Sequence, residues 1–276
     1  MKKKKKKKIP FSKLPKEIKI QKIVTYILTI VGIVSLGYFA FYVKQADNTQ
    51  TNYEKLSELK STDYKVNKKD KSVIIHMNQE EEAPDILDDY KTLYNNNKKL
   101  IGWIKIDDTL IDYPVMQSDN EEYYLNHNFN QEKDNNGSIF IAADCKIWPR
   151  SQNIIIFGHN MKSGKMFGQL KKYKNESFCN NNPFIKFDTL YEKGVYQVCF
   201  AFSDIVYDEA EVAFKYYQFI DANSEQEWDS AMDYMHDKSM YDTGIIPSYG
   251  DKIITLSTCD YEKDAERFVV VAKKIR

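Results

Sequence analysis

KIITLSTC (252–259) and RFVVVAKKI (267–275) are apolar, β-branched runs joined by the acidic connection DYEKDAE (260–266). Runs of this length and composition read as buried strands, and a seven-residue connection makes them a hairpin. A hairpin sets the end of its first strand beside the start of its second. Cys259 and Arg267 are therefore expected at the same rim of a sheet. A cation near a thiol favours the thiolate and can also hold an oxyanion. NIIIFGHN (153–160) supplies a further candidate: His159 follows Gly158 at the end of a buried-looking strand, where a ring can leave the core and reach a rim. Spacing by itself leaves structural roles open. A strand-end cysteine is more often packed than catalytic, and an arginine opening a strand is usually a solvated edge charge.

Further β-like runs precede the hairpin: GWIKI (102–106), LIDYPVM (110–116), GSIFIA (137–142), FIKFDTL (184–190) and VYQVCFAFS (195–203). Residues 85–99 place Ile86, Leu87, Tyr90, Leu93 and Tyr94 at helical spacing, with Asp85 near the start suiting the helix dipole. MFGQLKKY (166–173) and SEQEWDSAMDYMHDK (224–238) also read as helices. Many short strands with few helices predict a mostly β domain, a closed barrel or a sandwich, and about 190 residues suffice for one such core.

The chain has 276 residues, 42% hydrophobic and 14% aromatic, which is too apolar for a disordered segment. Four Cys exclude a disulfide-dense scaffold. Its 40 Lys+Arg balance 40 Asp+Glu, but the balance is uneven along the chain. Residues 1–22 carry eleven Lys and one acid, Glu17, so the remainder sums to −10. IVTYILTIVGIVSLGYFAFYV (23–43) then has no charged side chain, and Tyr26, Tyr38 and Tyr42 lie towards its ends. At about 1.5 Å per residue it spans a ~30 Å hydrocarbon core. A cleaved signal peptide has a shorter apolar region ending in a small-x-small site; this run is longer and continues as Phe-Tyr-Val-Lys-Gln.

The expected organisation is a cytoplasmic basic segment (1–22), one transmembrane signal anchor (23–43), an extracellular stalk (44–83) with some helix around Tyr53 to Leu59, and a catalytic domain (84–276). The lysine excess before the span places the N-terminus inside and the bulk of the chain outside the cell membrane. An anionic inner leaflet is a better partner for those lysines than nucleic acid.

Of the other candidates, Cys199 lies in an apolar strand and reads as a small packed hydrophobe. Cys145 and Cys179 carry no partner signal, and a disulfide between two of the cysteines stays open. No CxxC, HExxH or HxxxH spacing occurs among the cysteines and the histidines His76, His127, His159 and His236. No metal site and no cofactor is expected.

These residues resemble the sortases, the cysteine transpeptidases of Gram-positive cell surfaces, and class B in particular. The matching pieces run in order over about residues 84–276: GWIKI, LIDYPVMQ, YYLNHNF, GSIFIA, IIIFGHNM, MFGQLKKY, TLSTC and RFVVVAKKI. The specific part is TLSTC, with a His about a hundred residues upstream and an Arg eight residues downstream. The resemblance implies a closed sortase-type barrel of about eight strands with an N-terminal helix, preceded by one transmembrane helix. The stretch 224–238 looks like the extra helix between late strands that separates class B from class A.

Position by position, the resemblance implies Cys259 as nucleophile, His159 as general acid/base and Arg267 as oxyanion-stabilising residue. It also implies Ser257, Thr258, Leu125 and Asn120 as lining of the substrate groove. The spacing at Asn120 departs from relatives by about a residue. Phe157 stands where relatives often carry Tyr, which removes a hydroxyl from that position. The implied reaction cleaves a C-terminal sorting signal after Thr through a thioacyl enzyme. The downstream peptide leaves, and the enzyme-bound acyl group is then passed to an amine of peptidoglycan or its lipid-linked precursor. The implied partners are sorting-signal-bearing surface proteins, the membrane and the cell wall. A papain-like peptidase fits poorly, because its Cys precedes its His and starts a helix. A membrane-tethered binding barrel without activity and a pilin-polymerising enzyme are the remaining alternatives.

Overall fold

The computed structural model describes residues 11, 14–60, 83–120, 122–207, 211–259 and 266–276, with Cys259 described by its backbone. Most of the basic N-terminal segment and the larger part of the expected stalk lie outside the described residues. The chain divides into two units, Met1–Asn48 and Thr49–Arg276.

In the first unit runs most of α1 (Lys16–Glu58), a helix of 43 residues with an 18-residue stretch of mean hydropathy 2.1. It is long and apolar enough to cross a membrane. Thr25 and Thr29 donate their hydroxyls to the carbonyls four residues back, so these polar groups are satisfied within the helix.

The second unit begins with the last turns of α1, and these turns are packed. Tyr53 is buried, its hydroxyl donates to the Gly137 carbonyl at 3.1 Å, and its ring meets Tyr113 edge-on at 5.3 Å. Thr49 donates to Asp134 at 2.6 Å. Helix α2 (Asp88–Asn96) and eight strands follow: β1 (Leu100–Lys105), β2 (Asp112–Met116), β3 (Ile139–Ile141), β4 (Asn153–Phe157), β5 (Phe184–Thr189), β6 (Val195–Ile205), β7 (Ile253–Cys259) and β8 (Glu266–Lys274). They close a barrel in the order β1-β2-β3-β4-β7-β8-β6-β5. The pairs β2/β3 and β4/β7 are parallel and the others antiparallel. Parallel strands are covered on both faces, which is why NIIIF reads as a continuous apolar run rather than an alternating one.

Helix α3 (Glu176–Asn181) lies between β4 and β5, capped by the Asn175 side chain. Helix α4 (Glu225–Lys238) lies between β6 and β7. Ser224 caps α4 by accepting the Glu227 N–H at 3.2 Å, while the Glu227 carboxylate accepts the Asn223 N–H at 2.9 Å. Trp228, Ala231, Met232 and Met235 of α4 pack in one cluster with Phe202, Val269 and Val271 of β6 and β8.

One expectation needs correcting. The stretch 166–173 is not a helix along its length; only a short 3-10 turn, Leu170–Lys174, forms. Met166 sits at φ 52, outside helical backbone, and a Cβ on Gly168 would collide with the Met161 carbonyl, so the segment makes a tight turn there.

Candidate active site

The rim is built by strand register. β4 and β7 run side by side in the same direction, with Phe157 opposite Ser257, so His159 and Cys259 each follow two residues later at the same end of the sheet. In the antiparallel pair β7/β8, Cys259 is opposite Arg267. The hairpin inferred from sequence is therefore present in the backbone, and residues a hundred positions apart arrive together. Gly158 permits the close approach: a Cβ there would strike the Ile139 side chain and the Phe167 ring.

His159 is half-buried, and its Nε2 lies 2.7 Å from the Leu125 carbonyl. A carbonyl only accepts, so Nε2 carries the proton and donates, which leaves Nδ1 as the nitrogen able to exchange one. Among the described residues, the Arg267 guanidinium makes a single hydrogen bond, Nη1 to its neighbour's carbonyl at Glu266 (3.3 Å). Its other donors have no partner among the described residues. Thr258 is 3% exposed, and its Oγ1 has no partner among the described residues. Ser257 is held from outside the sheet by the Tyr216 hydroxyl at 2.9 Å. Burial pushes the Tyr216 phenol well above its ordinary range, so it stays protonated.

A cavity of about 280 Å³ opens at this rim, lined by Leu125, Phe140, Phe157, His159, Ser257, Thr258 and Arg267, with Val206, Tyr216 and Tyr217 opposite. Its walls are mostly apolar and its polar groups few, the usual composition of a site that takes a substrate. Phe157 packs on Phe140 with ring centroids 5.6 Å apart, filling the position with hydrocarbon.

Six of the seven residues named from sequence meet here: His159, Arg267, Ser257, Thr258 and Leu125 line the cavity, and Cys259 joins them through its backbone register. Asn120 is not part of that lining; its side-chain oxygen accepts the Glu122 N–H at 3.0 Å in a local turn. Sequence reading missed Tyr216, Tyr217 and Val206, which lie in the irregular crossing between β6 and α4. The adjacent aromatic pair Tyr216–Tyr217 was the available signal, but no periodicity ties that stretch to the sheet.

The competing histidines and cysteines fall elsewhere. His127 stacks on Tyr123 at 4.0 Å, and His236 lies near Asp237 and Asp242 with its ring edge-on to Phe200. His76 lies outside the described residues. Cys145, Cys179 and Cys199 are buried, and the Cys145 Sγ lies within hydrogen-bonding reach of the Asn153 carbonyl. Burial pushes Cys199 up to about 12 and raises Cys179, so both resist forming the thiolate. Among the described residues, no group of three His, Cys, Asp or Glu is arranged to hold a metal ion.

A closed barrel that carries a His, a Cys and an Arg to one rim has the frame of a cysteine transpeptidase, and known proteins agree. Residues 104–275 match the Sortase domain family, and the chain belongs to the sortase family, class B. It is 35% identical over 196 residues to Sortase B of Listeria monocytogenes, covering 69% of this chain and 76% of that one. To Sortase B of Staphylococcus aureus it is 30% identical over 256 residues, 92% of this chain and 96% of the relative. The crystal structure of sortase B from B. anthracis in complex with AAEK1 superposes with a TM-score of 0.68 at 29% identity, covering 85% of this chain and 99% of that one.

Proposed function

We propose that this sortase is a membrane-anchored enzyme that joins surface proteins to the cell wall, with Cys259, His159 and Arg267 as its reacting groups. The observation that supports this reading is the shared register of β4, β7 and β8, which brings the three backbone positions to one rim, where His159 and Arg267 line a cavity. The Cys259 thiol passes its proton to His159 Nδ1, and the resulting thiolate attacks the carbonyl carbon of the Thr in a C-terminal sorting signal. A cysteine suits the step because it is partly ionised near neutral pH and intrinsically nucleophilic.

The uncommitted donors of Arg267 face the oxyanion that forms. As the C–N bond breaks, the leaving amine takes a proton from His159 Nδ1, while Nε2 stays fixed on the Leu125 carbonyl. The product is a thioester on Cys259. An amine of peptidoglycan or its lipid-linked precursor then gives a proton to Nδ1 and attacks the thioester carbon, and the thiolate departs. Ser257, Thr258 and Leu125 line the groove for the signal; Asn120 lies further off, on the loop leading to it.

The apolar part of α1 acts as the anchor, with the lysine-rich N-terminus on the cytoplasmic side and the barrel outside. That placement meets exported proteins as they leave the membrane. The test is cleavage of a sorting-peptide library by the full chain in detergent micelles, with mass spectrometry of the enzyme. A mass increase on Cys259 equal to the peptide up to its Thr is expected. Turnover without such an adduct, or cleavage elsewhere in the peptide, overturns the assignment.

A further inference from the structure

On β6, Asp204 is the penultimate residue, almost wholly buried, and directly opposite Arg267 in the pair β6/β8. Arg267 in turn is opposite Cys259, so Asp204, Arg267 and Cys259 form one row across three strands. A buried carboxylate in such a row needs partners, and Asp204 has them away from the row. Tyr234 of α4 donates to Oδ2 at 2.9 Å, Lys238 of α4 approaches Oδ1 at 3.4 Å, and the Ile205 N–H donates to Oδ1 at 3.0 Å. The Tyr207 hydroxyl also donates to Oδ1, at 3.4 Å, and lies 3.4 Å from that of Tyr234.

Tyr207 is in turn locked to Tyr217. The Tyr217 hydroxyl accepts the Tyr207 N–H at 3.0 Å and donates to the Tyr207 carbonyl at 3.1 Å. Tyr217 and Val206 line the active-site cavity, and both also line a second cavity of about 560 Å³ that includes Asp144 and Gln218. They are the ridge between the two spaces. A shift of this ridge changes the width of the groove without moving a strand.

We propose that Asp204 is a positioning residue for peptide binding: from its anchorage on α4 it fixes, through Tyr207, the Tyr217–Val206 wall of the substrate groove. This rests on the transpeptidase reading above. It assigns α4 a part in the reaction although the helix contributes no lining residue to the groove. None of the hydrogen bonds to Asp204 comes from Arg267, so the effect falls on the wall and not on oxyanion stabilisation.

The experiment compares Asp204→Asn, Tyr207→Phe and Tyr217→Phe in the full chain, measuring KM and kcat for a cleaved sorting peptide and the rate of Cys259 alkylation by iodoacetamide. Loss of about one net hydrogen bond predicts a KM rise of about fivefold, with kcat and the alkylation rate within about twofold of wild type. Tyr207→Phe removes a single hydroxyl and decides the matter if Asp204→Asn fails to fold. Unchanged KM in the three variants overturns the proposal. A fall in kcat at constant KM also overturns it, placing Asp204 behind Arg267 instead. Amide exchange at Tyr207 separates this proposal from the parent reading. If wild type cleaves no peptide, the transpeptidase reading fails, and faster Tyr207 exchange in Asp204→Asn and Tyr207→Phe still supports the lock. Unchanged exchange removes it.

Discussion

The body of the barrel and its candidate active rim differ in how they treat polar groups. In the body, Asp188 accepts from the Tyr90 hydroxyl at 2.7 Å and from the Gly194 N–H at 3.1 Å. Asn153 donates to the Phe219 carbonyl at 2.7 Å and accepts from Thr255 at 3.0 Å. At the rim, Thr258 Oγ1 has no partner among the described residues, Arg267 makes one hydrogen bond, and His159 keeps Nδ1 uncommitted. Leaving a buried polar atom unpaired costs about 1–3 kcal/mol. The body also holds such atoms, Arg150 Nε and Glu192 Oε1 among them, but its many paired groups give a rigid frame in which the rim can hold donors for the peptide carbonyl of the proposed reaction.

The contrast breaks first at the thiols. Cys259→Ala is expected to lower transpeptidation by at least about 10³-fold, measured by steady-state cleavage of a sorting peptide. Iodoacetamide should modify one thiol per native chain, and none in that variant; comparable labelling of Cys145, Cys179 or Cys199 would erase the distinction between rim and body. In the body, Trp228 is fully buried with its indole donating to the Pro247 carbonyl at 3.0 Å. Trp228→Ala should cost about 3–5 kcal/mol in urea unfolding, and a loss under 1 kcal/mol would show that the α4 cluster is not part of the stabilising core.

Back at the rim, Arg267→Lys keeps the charge but loses the fork, so kcat should fall about 10²–10³-fold with little change in unfolding midpoint. An unchanged kcat removes the oxyanion role. A further effect concerns alkaline pH. Unfolded Cys199 loses its proton near its ordinary 9.0, whereas the folded thiol holds it to about 12. Over that window the unfolded chain binds fewer protons, so stability falls as pH rises, by up to about 1.4 kcal/mol per pH unit from this group. Cys199→Ala should show a shallower decline between pH 9 and 12 by thermal unfolding. An identical slope shows that the thiol is not protected by burial.

Strand identity was legible because β-branched runs such as NIIIF and TLSTC are bounded by turns and buried on both sides. The stretch 224–238 was legible as a helix, and in the structure Ser224 and Glu227 close the start of α4. The pairing of Cys259 with Arg267 at one rim was readable from the hairpin, whereas the roles expected of His159, Cys259 and Arg267 came only from the resemblance. What was not legible follows from missing periodicity. Tyr216, Tyr217 and Val206 sit on an irregular crossing, and their contacts with Ser257 and Tyr207 depend on where that crossing lies over the sheet. Leu170–Lys174 forms only a short turn because the left-handed Met166 and the crowded Gly168 precede it. Tyr53 lies in a polar-looking stretch, and nothing in its neighbours announces that its ring meets Tyr113.

The parallel pairing of β4 with β7 also governs when activity can arise. Ile154 and Ile254 are partners across a hundred residues of chain, and β7 needs β8 on its other side. Contacts of such sequence separation are slow to form, since loop closure precedes any gain from pairing. A folding chain can therefore complete its local hairpins while Cys259 and His159 are still far apart. If the proposed trio is the reacting set, peptide cleavage should appear only once β4 and β7 have paired, so activity measured during refolding reports on that pairing.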